Sequence, residues 1–341
     1  MRRLLLTATA VAICTWVGAA ATAQAADEPP PWAYGFTAPP APNTPRATPN
    51  PAPPQQDAVT EHSLEGSQLK FTRARIANRF GPADWFPGDH PTMPLVVERG
   101  KQAQNVYACS LCHYPNGKGR PENANVTGLT YDYIVLQMKD FRNGARKTSD
   151  PRKANTGLME HFAKNMTDEE IHVAAKYFAS IPATPWIKVV EADTVPKTRP
   201  QGGMFLVVEG DGAGKEPIGS RIIETPDKTH DTEFLRNPRS GFTAYVPPGS
   251  LKKGEALVRT GVTASGDKVT ACTICHGNDL RGIGPVPTLA GRSPSYVARQ
   301  LYDMQHGNRN GSWTVLMAPV VAGMKPDDVL NASAYLASLQ P

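Results

Sequence analysis

Two pentapeptides of one pattern, Cys-Ser-Leu-Cys-His at 109–113 and Cys-Thr-Ile-Cys-His at 272–276, stand 163 residues apart in a chain of 341. The same shift carries Gly128 onto Gly291, Tyr133 onto Tyr296, Gln137 onto Gln300, Asp140 onto Asp303, Gly144 onto Gly307 and Arg146 onto Arg309. A register held without a gap means one supersecondary unit used twice. Beyond Arg146 the offset becomes 158, so the first copy carries five extra residues; Met159, Met166 and Tyr177 then meet Met317, Met324 and Tyr335. Any fold for this chain has to supply two equivalent domains.

Each copy reads as helical. In 131–142, Tyr133, Ile134, Gln137, Met138 and Phe141 recur at three- and four-residue steps, and Val297, Leu301 and Met304 repeat the pattern in 294–305. The closing helix of the first copy starts at Thr167, a capping residue, with Glu170 placed to complete a capping box. The second copy has Pro326 near the first helical position, where a missing N–H is harmless. The runs Ala-Ala-Lys-Tyr-Phe-Ala-Ser and Ala-Ser-Ala-Tyr-Leu-Ala-Ser that follow suit packing against another helix.

The compartment narrows the chemistry of the cysteines. Residues 1–25 run from a basic start through an apolar stretch to Ala23-Gln24-Ala25, the pattern of an export leader cleaved before Ala26, which predicts a periplasmic mature protein. Cys14 leaves with the leader, and all four remaining cysteines lie in the two pentapeptides. Two disulfides would use four cysteines, and a zinc ribbon uses paired Cys-x-x-Cys knuckles. Neither accounts for a histidine directly after each second cysteine, and a ribbon brings its knuckles together across roughly 15–20 residues. Cys-x-x-Cys-His is the attachment signal of haem c. Two thiols one helical turn apart each add to a vinyl group of one porphyrin, and the adjacent imidazole falls beneath the iron. Cys109 and Cys112 are thus the thioether links of a first covalent haem c with His113 as its proximal ligand; Cys272, Cys275 and His276 repeat this for a second.

No cysteine is left for the opposite face of either iron, which points to methionine; a Met/His pair raises the potential of an electron-transfer haem. Met159 and Met317 are the expected distal ligands, each in a loop before the closing helix, with Met317 followed by Ala-Pro in a helix-poor segment. Met166 and Met324, seven residues later in each copy, are the rivals, expected instead to plug the core.

Motif, glycine-led middle helix, methionine segment and closing aromatic helix, in that order over roughly 94–183 and 249–341, resemble the class I c-type cytochromes, in particular their tandem two-haem members. The resemblance implies a mainly α fold of two cytochrome c domains. It also implies a proline carbonyl that accepts a hydrogen bond from the proximal histidine: Pro285 for His276, and Pro121 for His113, one register step away. Arg146 and Arg309 are either propionate partners or solvated surface charges.

Three segments fall outside that pattern. Residues 26–93 form an N-terminal extension in which 29–54 hold 11 prolines among 26 positions, the composition of an extended tether; Trp32, Tyr34 and Phe36 in it are candidates for docking on a partner. His90 and Met93 offer further potential ligands, in a loop expected to cover the first domain. Residues 184–248 form a long irregular connector with β-hairpin character, suggested by Met-Phe-Leu-Val-Val and Ser-Arg-Ile-Ile-Glu between glycines and prolines.

Loss of Arg2 and Arg3 with the leader takes two from the formal charge of +5, and two haems bring roughly four propionates, so the loaded protein is near neutral. Nothing points to nucleic acid. The expected function is electron transfer, as a carrier or as the cytochrome subunit of a periplasmic dehydrogenase or respiratory complex. The redox partners would be a dehydrogenase, a quinol-oxidising complex or a terminal oxidase, with association with a membrane complex an open option. A dihaem peroxidase, which needs one open or displaceable iron position, is the alternative.

Overall fold

The computed structural model describes residues 28–48 and 55–341; the leader, its cleavage site, Cys14 and residues 49–54 of the proline-rich tract lie outside them. Among the described residues no helix is long and apolar enough to cross a membrane. The middle helices form at Tyr131–Arg142 and Pro294–Gln305. Thr130 and Ser293 accept the backbone N–H groups of Tyr133 and Tyr296, so equivalent hydroxyls cap the two helices. The first closing helix, Asp168–Ala179, begins with a reciprocal capping box: Glu170 accepts from the Thr167 N–H at 2.7 Å, and Thr167 accepts from the Glu170 N–H at 3.2 Å. The second, Pro326–Ser338, has Asp328 accepting from the Lys325 and Ala264 N–H groups instead.

The methionine segments are helices, not loops. Met159 lies in Ala154–Asn165 and Met317 in Thr314–Ala322. In the first, Leu158 and Phe162 fall on one helical face and supply the packing. The second forms although Pro319 sits inside it, where the ring removes one helical N–H donor; Val321 is buried and Met317 packs against the second core, while Val315 and Leu316 stay exposed.

The domains open differently. The second begins with an eleven-residue helix, Ser250–Thr260, that crosses the closing helix so tightly that a Cβ on Gly254 would lie 2.0 Å from the Asn331 carbonyl oxygen. The first has only a single turn there, Leu95–Glu98. Each core is apolar: Val97, Val106, Ile171, Ala175 and Phe178 in the first, Leu257, Val258, Val297, Leu336 and Leu280 in the second.

The connector is a set of small sheets. Thr198–Gln201 and Met204–Val207 make a hairpin around Gly202-Gly203, both at positive φ as a tight two-residue turn requires. Thr194–Pro196 pairs with Lys215–Pro217. Ile187–Glu191 runs parallel to Phe242–Val246, which also pairs antiparallel with Ile223–Pro226. The parallel pair brings the ends of the connector together, and its Ile222, Ile223, Ala244 and Val246 join the second domain's core.

The N-terminal extension is no free tether over its described part. Trp32, Ala33 and Tyr34 are buried in the second domain's core. The Tyr34 hydroxyl donates to Asp303 at 2.7 Å, and the Arg152 guanidinium lies 3.8 Å from the centre of the Phe36 ring. Pro31–Tyr34 forms a single helical turn closed by Gly35 at positive φ, which sets Trp32 and Tyr34 into the core, so the aromatics dock within their own chain.

Candidate functional site

Cys109–His113 forms one helical turn, and Thr273–His276 does so directly after Cys272. The four cysteines are unpaired. Each motif opens into its own cleft. The first, about 1990 Å³ with its open mouth included, is lined by Cys109, Cys112, His113, Met159 and Met166. The second, about 1370 Å³, is lined by Cys272, Cys275, His276, Met317 and Met324.

The histidines are held alike. His113 Nδ1 lies 2.8 Å from the Ala124 carbonyl oxygen, and His276 Nδ1 lies 2.8 Å from that of Pro287. A carbonyl only accepts, so each Nδ1 carries the proton and Nε2 keeps its lone pair, the tautomer a metal ligand needs. Burial pushes both imidazoles below their ordinary range, toward the neutral form. The same burial drives the Cys109 thiol up to about 12 and the Cys272 thiol up to about 11, so both rest as neutral thiols. Unpaired thiols, a neutral imidazole, thioether side chains and apolar walls fit haem c.

The orienting carbonyls correct the expectation of Pro285 and Pro121. Gly282, at positive φ, turns the chain back so that its N–H reaches the His276 carbonyl, and Ile283 bridges Val286. Pro285 therefore sits at the tip of the turn, and the carbonyl that returns to the histidine is two residues later. Ala124 and Pro287 are related by the same 163-residue shift, which could have located both, because the carbonyl matters and not the proline ring. Pro121 serves elsewhere: its carbonyl accepts from Arg299 Nη2 at 2.8 Å.

His90 and Met93 do not reach the first cleft. His90 bonds Asp84 through Nε2 at 3.1 Å and the Pro91 carbonyl through Nδ1 at 2.8 Å, and Met93 packs against the first core.

Arg146 and Arg309 are neither solvated nor independent. Both are buried, and they pair across the domains as an isolated antiparallel bridge. Arg146 donates to Gln137 at 2.8 Å, Gln300 at 2.9 Å and the Tyr296 hydroxyl at 3.0 Å. Arg309 mirrors this with Gln300 at 3.1 Å, Gln137 at 2.9 Å and the Tyr133 hydroxyl at 2.8 Å. Each arginine thus reaches the tyrosine of the other copy, and both glutamines are shared. Tyr133, Gln137, Tyr296, Gln300 and Leu129 line both clefts, so this network is their common wall.

The cytochrome c family model matches residues 97–182. The thiosulfate dehydrogenase electron acceptor of Stutzerimonas stutzeri (strain A1501) is 34% identical over 247 residues, covering 72% of this chain and 84% of that protein. Cytochrome c4 from Stutzerimonas stutzeri is 32% identical over 169 residues, 43% of this chain and 78% of that one. This chain is a two-domain class I c-type cytochrome. The cytochrome carries two covalently bound haem c groups, and its activity is electron transfer with redox partner proteins. The crystal structure of reduced cytochrome c4 from Pseudomonas stutzeri is similar at a TM-score of 0.43 and 22% identity, covering 70% of this chain and 98% of that one.

Proposed function

We propose that this cytochrome works outside the cytoplasmic membrane as the electron acceptor of a periplasmic dehydrogenase, relaying one electron at a time between its two clefts and on to a further redox protein. In this reading Cys109 and Cys112 tether one haem, with His113 and Met159 on its iron. Cys272 and Cys275 tether the other, with His276 and Met317. Haem supplies an iron that cycles between ferrous and ferric without bond making; the chain supplies everything else. The Ala124 and Pro287 carbonyls orient the imidazoles and raise their basicity. The apolar walls would keep water from the iron, and Met159 and Met317 as its ligands would keep added ones out. The dehydrogenase partner is suggested by the name of the 34% identical acceptor, and the export by the leader-like residues 1–25.

The observation that supports the relay most directly is the shared wall: five residues line both clefts at once, so an electron has only one layer of side chains to pass. The test is spectroscopic. Oxidised and reduced spectra of the purified protein are expected to show two low-spin haems that ignore added carbon monoxide and peroxide. A haem that is high-spin, or that takes up either ligand, sinks the relay in favour of a dihaem peroxidase.

A further inference from the structure

The two clefts repeat one another in sequence, yet their cysteine edges differ. Leu111 is 9% exposed and its repeat partner Ile274 is 72% exposed. Arg120, with its side chain 12% exposed, corresponds to Ile283, which is 76% exposed. Glu122 corresponds to Pro285.

The connector makes the difference. Arg236 donates to the Leu111 carbonyl, and the Pro238 carbonyl accepts from Asn116 Nδ2 at 2.8 Å. Trp85 Nε1 holds this arm by donating to the Leu235 carbonyl at 2.8 Å. Beneath it Arg120 and Glu122 pair at 2.5 Å, while Arg120 Nε and Glu122 Oε2 have no hydrogen-bond partner. Arg236 lines the same cleft, and burial followed by the charge of Arg120 pushes it below the usual guanidinium range. Guanidinium groups stay protonated in proteins, so at this edge two cations face one carboxylate; Arg79, Arg146, Lys153 and Arg299 also line the first cleft, against Arg292 and Arg309 in the second. The second cleft has Ile274, Ile283 and Pro285 at the matching positions, and no residue of 184–248 lines it.

We propose that Arg236, together with Arg120 and Glu122, makes the haem of the first cleft the higher-potential one, so that an electron entering at the exposed cysteine edge of the second cleft comes to rest behind the connector. This rests on the reading of one haem in each cleft. Oxidation adds one positive charge at an iron; a buried cation opposes that charge, and a cover of protein withdraws the water that would solvate it. Both effects favour the reduced form in the first cleft. A one-electron donor protein supplies the electron, the second iron loses it as the first gains it, and no bond or proton moves.

Potentiometric titration of the two-haem protein is expected to resolve two one-electron waves at least tenfold apart in equilibrium constant, which is about 59 mV. Arg236→Gln keeps a donor for the Leu111 carbonyl and removes the charge. It is expected to lower the upper wave by at least threefold in equilibrium constant and leave the lower wave in place, while Arg236→Lys stays near the wild type. Movement of the lower wave instead, or of neither, overturns the proposal. The unsubstituted protein gives a second decision should Arg236→Gln load haem poorly. With a soluble gadolinium chelate present, the thioether-edge NMR signals of the haem that is reduced first must stay sharp, because the cysteine edge of its cleft lies under the connector; if those of that haem are the broadened ones, the proposal fails. A chain that holds fewer than two haems overturns the two-cleft reading and this proposal with it, whereas two haems with the opposite order overturn this proposal alone.

Discussion

The two haem domains share their local scaffold down to single hydrogen bonds and differ in almost everything laid over it. Histidine to carbonyl distances are 2.8 Å in both, the middle helices are capped by equivalent hydroxyls, and Arg146 and Arg309 exchange partners across the interface. The first domain, however, lies under residues 77–93 and the connector arm, while the second leaves Cys275, Ile274 and Ile283 exposed. Repetition thus specifies how a haem is gripped. The segments that are not repeated decide how much water and charge that haem meets.

The widest separation of the domains is by haem content. Replacing Cys272 and Cys275 with alanine is expected to halve the haem per chain and leave the spectrum of the first domain intact; Cys109→Ala with Cys112→Ala should do the converse. Pyridine haemochrome content measured against protein concentration checks it. If either pair abolished both haems, the domains would not be independent sites.

The methionines come next. Met159→Ala and Met317→Ala are each expected to remove the iron–sulfur charge-transfer band of one haem and open that iron to carbon monoxide. Met166→Ala and Met324→Ala, at buried positions, should keep both bands and instead cost about 2–5 kcal/mol of stability, as core truncations do. Loss of a band on replacing Met166 or Met324 would reassign the ligand of that domain.

The shared wall is where the two halves are held as one. Arg309→Leu removes one of two donors from Gln137 and Gln300, which still accept from Arg146, and leaves the buried Tyr133 hydroxyl without a partner. The expected result is a loss of about 1–3 kcal/mol and a splitting of one thermal transition into two. Arg146→Leu should match it, since the network is nearly symmetric. A surface arginine such as Arg199 should do neither.

Much of this was legible in the residues. The 163-residue shift located the middle helices and the two histidines that are held alike by a carbonyl, because local spacing encodes them. The connector arm over the first cleft was not legible: Arg236 and Pro238 meet Leu111 and Asn116 across more than a hundred residues, and no local periodicity records such a pairing. The parallel pairing of Ile187–Glu191 with Phe242–Val246 escaped for the same reason. Trp32 and Tyr34 were readable as sticky aromatics in a proline-rich tract, but their partner, Asp303, lies 269 positions away. The helical form of the methionine segments was obscured by Gly157 and Pro319, helix breakers that tertiary packing overrides.

The smallest expected effect concerns the cover that only the first domain has. His90 sits in that cover between Asp84 and the Pro91 carbonyl, packed edge-on to Tyr177 of the closing helix. Burial alone would lower its pKa. The hydrogen bonds to Asp84 and Pro91, with the charges of Asp84 and Asp89, outweigh burial and leave it raised. A histidine whose folded pKa is raised binds its proton more tightly in the native state, so its contribution is complete below the unfolded value of about 6.5. It is lost as pH climbs through the raised folded value. For a half-buried pair the effect is about 1 kcal/mol or less. Hydrogen exchange of residues 84–93 is expected to quicken between pH 6 and 8 beyond the intrinsic pH dependence of exchange, with no matching change around Ile274 and Ile283. Asp84→Asn should flatten that response. An unchanged pH response in the variant would show that some group other than the His90–Asp84 pair fastens the cover.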